Sequence, residues 1–201
     1  MNRTPKVTCA AVAFTALLSP NTGQTADANG NYALRGAGSI PCSEYVTAIA
    51  NDPAQAQVFV AWMAGYITAR SRTAEDTFDV LPLIAGADVA GLMRVVCVQN
   101  GDATFENAID AALTLFAPAR VKLDSPLLAL EHNGRTISIR EATLAEVQTA
   151  LTGEGLYSST VDGAFGPGTR TAIEQFQASR GLQVTGLPDA DTLVALLLPA
   201  S

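Results

Sequence analysis

The chain has a single histidine and three cysteines among its 201 residues. That leaves too few imidazole and thiolate ligands for a zinc site built from several such side chains. Basic residues are also scarce, 12 against 19 acidic ones, for a formal charge of -7. A protein that tracks nucleic-acid phosphates needs clustered lysine and arginine, so that class is excluded. Only 15% of residues are charged while 48% are hydrophobic, a balance that excludes a disordered chain. Beyond the first twenty residues no apolar run approaches the length needed to cross a bilayer, so no membrane span is expected in the mature chain.

What is present begins with an export pattern. Arg3 and Lys6 precede an apolar stretch from Val7 to Leu18, and Ala26-Asp27-Ala28 offers a small-x-small cleavage site. Residues 1–28 therefore read as a signal peptide, with the mature protein starting near Asn29 and located in the periplasm or cell envelope. Cleavage removes Cys9 and leaves Cys42 and Cys97. Two cysteines in an oxidising compartment are expected to pair, stabilising the fold by about 4 kcal/mol in the chain-entropy description.

Residues 29–37 are small and glycine-rich and read as a flexible lead-in. A helical domain is expected over 38–118. Ser43–Ala50 makes a first helix, and Asp52-Pro53 supplies a cap and a first-turn proline for a second. That second helix carries Val58, Phe59, Trp62, Tyr66 and Ile67, with Trp62 and Tyr66 on the core side beside Val58 and Phe59. Asp88 is expected to cap a third, bearing Val89, Leu92, Met93 and Cys97; Phe105 to Phe116 forms the last before Pro118. Residues 119–140 alternate apolar and polar around Asn133-Gly134, which predicts a small exposed β-hairpin acting as a linker. The expected fold class is mainly α, two small helical domains joined by that hairpin.

The final segment, 141–201, has the densest pattern. Thr143-Leu-Ala-Glu146 fits a capping box, and Leu144, Val147 and Leu151 line one helix face until Gly153 and Gly155. Val161-Asp162-Gly163-Ala164-Phe165-Gly166-Pro167 predicts a compact turn in which Asp162 accepts from amides ahead of it and Pro167 opens a helix. Ala172, Ile173 and Phe176 face inward there, Gly181 closes the helix, and Asp189 starts a third with Leu193, Leu196 and Leu197.

These residues, together with Thr169, Phe176-Gln177, Gly181-Leu182 and Val184-Thr185-Gly186, resemble the peptidoglycan-binding domain built of three helices. The resemblance implies a noncatalytic wall-binding module. It places the wall-contacting groove at Asp162, Gly163, Phe165, Gly166, Thr169 and Arg170, with Tyr157 as a stacking surface for a sugar ring. Helix-start amides and loop groups can bind glycan or peptide oxygens without a large positive field.

Ser39-x-x-Cys42-x-x-Tyr45, then Trp62-Met-Ala-Gly65-Tyr66-Ile67, then Cys97 and Phe105, resemble the HdeA-type acid-stress chaperone superfamily. The pattern is also similar to the Tai-type immunity proteins, which inhibit wall-degrading amidases. The chain departs from the chaperones in lacking their abundant lysine.

No catalytic constellation stands out. His132, the only imidazole, falls in the predicted hairpin turn, and Glu44, Glu75, Asp76 and Asp79 read as a solvated acidic face. No metal or cofactor is implied. The expectation is an exported, noncatalytic peptidoglycan-binding protein whose helical domain holds or inhibits another periplasmic protein. A peptidoglycan hydrolase, or a wall-tethered acid-stress chaperone, is the alternative.

Overall fold

The structure, a computed structural model, describes residues 27, 29 and 31–198. Apart from Asp27, the expected signal peptide and its cleavage site lie outside the described residues. Residues 1–33 and 34–201 form two units. In the first, the Asp27 carboxylate accepts the amides of Asn29 and Asn31.

The second unit is mainly helical. Helices α1 (Cys42–Asn51), α2 (Pro53–Thr73), α3 (Gly86–Gln99) and α4 (Phe105–Phe116) come first. Strands β1 (Leu127–His132) and β2 (Arg135–Arg140) follow, then α5 (Glu141–Gly153), α6 (Pro167–Ser179) and α7 (Ala190–Leu197). Among the described residues no helix is long and apolar enough to cross a membrane.

Local chemistry accounts for several boundaries. The Asp52 carboxylate accepts from the amides of Ala54 and Gln55, with Pro53 at the first helical position, so α2 starts where its sequence signals it. Thr104 caps α4 through the Asn107 amide. Tyr45, Phe59 and Phe105 are fully buried and meet edge-on or tilted, with centroids 4.6–5.3 Å apart. Cys42 at the start of α1 and Cys97 near the end of α3 are joined by a disulfide, their Cα atoms 4.8 Å apart.

Four local expectations change. Val58 is 52% exposed, because α2 turns that side to solvent; Ala56, Phe59 and Met63 are the residues it buries. Helix α3 starts at Gly86, so Asp88 lies inside its first turn and Ala85 holds the cap position. The acidic set is not uniformly solvated either: Asp79 is partly buried, its Oδ1 accepting the Leu81 amide, while its backbone bridges to Val121. Desolvation raises its pKa above the usual carboxylate value, opposed by the Leu81 amide and by Arg140. Finally, Gly36–Ser39, partly assigned to the lead-in, is a 3-10 turn with Ala37 and Gly38 buried.

The hairpin forms as predicted, with Asn133 and Gly134 both at positive φ (49° and 72°), the requirement of its two-residue turn. It is more than an exposed connector. Leu130 and Ile139 are buried, while Leu127, Ala129 and Glu131 on the opposite face are exposed. At its tip His132 Nε2 lies 3.5 Å from Glu174 Oε1 on α6. At its far end the Arg140 guanidinium covers the Phe78 ring at 4.5 Å and donates to the Ser125 carbonyl.

Candidate functional site

The candidate site grows from one buried amide. Gln148 on α5 is fully buried, and its Oε1 accepts from the backbone amides of Asp162 (2.9 Å) and Gly163 (2.8 Å). Its Nε2 is within donor distance of Asp162 Oδ1, the Ala164 carbonyl, Thr169 Oγ1 and the Tyr157 hydroxyl, at 3.0–3.2 Å. A buried amide left unpaired is costly, so this hub holds the 162–164 loop in one shape. The Asp162 carboxylate also accepts the Ala164 amide. Those bonds, Gln148 first, hold its carboxyl below the usual range.

Helix α5 begins at Glu141, two residues before the predicted capping box. Arg140 is its cap residue and makes no side-chain cap bond. Thr143 is 2% exposed, and its Oγ1 has no hydrogen-bond partner in the described structure. Tertiary packing overrode the local signal: Pro126 accepts the Glu141 amide and Ser125 Oγ the Ala142 amide, so the helix starts against the chain entering the hairpin.

Gly163 is needed twice over. Its φ is +68°, and a Cβ there would lie 2.9 Å from the Glu141 carbonyl oxygen. Phe165 is half-buried and packs on the core, Gly166 is the cap residue of α6, and Pro167 is its first helical residue. Thr169 is buried on the Gln148 hub, and its hydroxyl donates to the Ala164 carbonyl. Arg170 lies one position further, its Nε 3.9 Å from Glu174. The structure thus gathers Tyr157, Asp162, Gly163 and Thr169 around one side chain, with Phe165 and Gly166 completing the loop and Arg170 just beyond. The Tyr157 ring is only 8% exposed, and its hydroxyl donates to the Thr160 carbonyl. The face expected to stack on a sugar is taken up by the protein itself.

The same device occurs a second time. Gln177 on α6 is fully buried; its Oε1 accepts the amides of Thr185 and Gly186, and its Nε2 donates to Thr185 Oγ1, the Leu187 carbonyl and Thr192 Oγ1. Gly186, like Gly163, has a positive φ, 69°. In both copies a threonine follows at the third position of the next helix, Thr169 in α6 and Thr192 in α7. The copies differ at the helix start. Asp189 caps α7 by accepting the Thr192 amide, whereas α6 starts from Gly166 with no side-chain cap. From sequence, Gln177 is named only as part of the family pattern and Gln148 is not named; neither is assigned a hub role. The signal was there: a glutamine directly after an apolar residue on each inward helix face (Val147-Gln148, Phe176-Gln177), then Val-x-Gly and a threonine six residues after the glycine.

Among the described residues no group of three or more His, Cys, Asp or Glu side chains is placed to hold a metal ion. A protein of Synechococcus elongatus named "Putative OxPP cycle protein OpcA" is 44% identical over 68 residues, 34% of this chain and 15% of that protein. The chain therefore spans well under a fifth of that relative's length. No solved structure matches. The buried glutamine hubs and both Val-x-Gly loops fall within residues 140–196, and it is this segment that matches the family described as "Putative peptidoglycan binding domain".

Proposed function

We propose that this is an exported, noncatalytic protein of the periplasm or cell envelope that binds peptidoglycan through its C-terminal domain. In this reading residues 1–28 are a cleaved signal peptide, and the disulfide-braced helical domain over 38–118 holds or inhibits another envelope protein. The family match at 140–196 supports the wall-binding part. The observation that carries it is the loop from Asp162 to Gly166, held by Gln148 and leading into a helix whose first-turn amides have no side-chain cap. Such amides bind carboxylate and carbonyl oxygens through local hydrogen bonds, which suits an acidic protein meeting an acidic polymer.

The test is sedimentation of the purified mature protein with isolated sacculi. Co-sedimentation that survives moderate salt is expected; a protein left wholly in the supernatant would reject the reading. Absence of muropeptide release in the same tubes is expected of a noncatalytic binder, and release would overturn that part.

A further inference from the structure

The hairpin and the candidate loop share a groove of about 440 Å³, lined by Ala129, Leu130, Glu141, Asp162, Ala164 and Phe165 among others. Its hairpin wall is β1. Among the described residues the sheet has two strands, and the edge of β1 facing away from β2 has no neighbouring strand. The two-residue turn makes His132 and Arg135 a hydrogen-bonded pair, and such pairs alternate along an antiparallel ladder. The N–H and C=O of Ala129 therefore point away from β2, and among the described residues no other backbone group bonds to them. An unpaired strand edge is a template for an extended peptide.

Resting on the wall-binding reading above, we infer that the part of peptidoglycan held in this groove is the stem peptide, lying along the β1 edge, and not the glycan. The strand edge favours a peptide: Ala129 presents a donor and an acceptor at the spacing of a peptide unit, which an extended chain can pair with along its length. The groove also carries two carboxylates, Glu141 and Asp162. The Glu141 stem packs against Gly163, with Cγ 2.8 Å from where a Cβ would stand. These acids complement the free side-chain amine of a stem peptide containing a diamino acid. An uncharged glycan offers them hydroxyl and amide hydrogen bonds but no opposite charge.

The experiment compares retention of the mature protein on intact sacculi, on sacculi stripped of stem peptides by an amidase, and on sacculi whose free amines have been acetylated. Free stem peptide serves as competitor. Retention is expected to fall about tenfold on stripping or acetylation, a step worth about 1.4 kcal/mol of binding. Ala129→Pro is expected to show a similar fall on intact sacculi, because proline removes the outward N–H without breaking a ladder bond. Its thermal unfolding is measured alongside; if that variant fails to fold, the acetylation arm decides without it. Equal retention on stripped glycan would overturn this inference while leaving wall binding intact. No retention even on intact sacculi would overturn the wall-binding reading, and this inference with it.

Discussion

The indole of Trp62 rests on Gly38 so closely that a Cβ at residue 38 would clash with the Cζ2–Cη2 edge of its six-membered ring. Its Nε1 donates to the Arg35 carbonyl at 2.8 Å, and its ring stacks on Tyr66. The glycine-rich turn is thus the seat of the only tryptophan in the chain. Gly38→Ala is expected to destabilise the protein by about 1–3 kcal/mol, the usual range for overpacking. Denaturant unfolding followed by tryptophan fluorescence checks it; an unchanged midpoint would show the turn yields without cost.

Gln148 and Gln177 each hold one loop. Gln148→Leu leaves the amides of Asp162 and Gly163 without their acceptor, at about 1–3 kcal/mol for each buried group unpaired. Amide exchange is expected to speed up at 162–164 while residues 185–187 stay protected. Gln177→Leu is expected to give the reverse pattern. Uniform loss of protection in both loops from either variant would show a single cooperative unit instead.

The Cys42–Cys97 disulfide closes 55 residues of chain. Replacing both cysteines with alanine is expected to cost about 2–5 kcal/mol, the usual range for removing a native disulfide from a small domain. Denaturant midpoints of the two proteins, measured without reductant, provide the check. Reductant is expected to lower the wild-type midpoint and leave the double variant unmoved.

Asp79 adds a pH dependence with a definite sign. Burial raises its pKa in the folded protein above 3.8, so folding is favoured by this group when it is protonated. That contribution is full below 3.8 and is lost as pH rises through the raised value. Asp88 is shifted the same way, by desolvation and then by the carboxylates of Asp189 and Asp191. Asp79→Asn keeps an oxygen to accept the Leu81 amide but carries no charge. It is expected to be more stable than wild type near about pH 7, with the difference shrinking toward about pH 4. Urea midpoints at the two pH values test this; a constant difference would remove the titration from the explanation.

Much of the helical framework was legible because its signals are local. Asp52-Pro53, Pro167 at the start of α6, and Asp189 before α7 act within one helical turn, and Asn133-Gly134 specifies a tight turn through its own backbone preferences. The start of α5 was misjudged for the opposite reason. Thr143 and Glu146 look like a capping box, yet Ser125 and Pro126, just before β1, supply partners for Glu141 and Ala142, and the helix begins earlier. Likewise, periodicity grouped Val58 with Phe59, and only the packing of the Phe59 ring against Tyr45 of α1 and Phe105 decided which of the two faces inward.

The amino-acid pattern alone determined the helices, the hairpin turn, the cysteine pair available for bonding and the positions of the glycines that permit positive φ. These depend on neighbours a few residues apart, where steric and capping preferences act directly. Tertiary structure decided the rest: that two glutamines become buried hubs, that Tyr157 gives its ring to the core, and that β1 faces the Asp162 loop across a groove. Each of those requires groups distant in the chain to be desolvated together, and the strength of a buried hydrogen bond or a closed surface exists only once that packing has occurred.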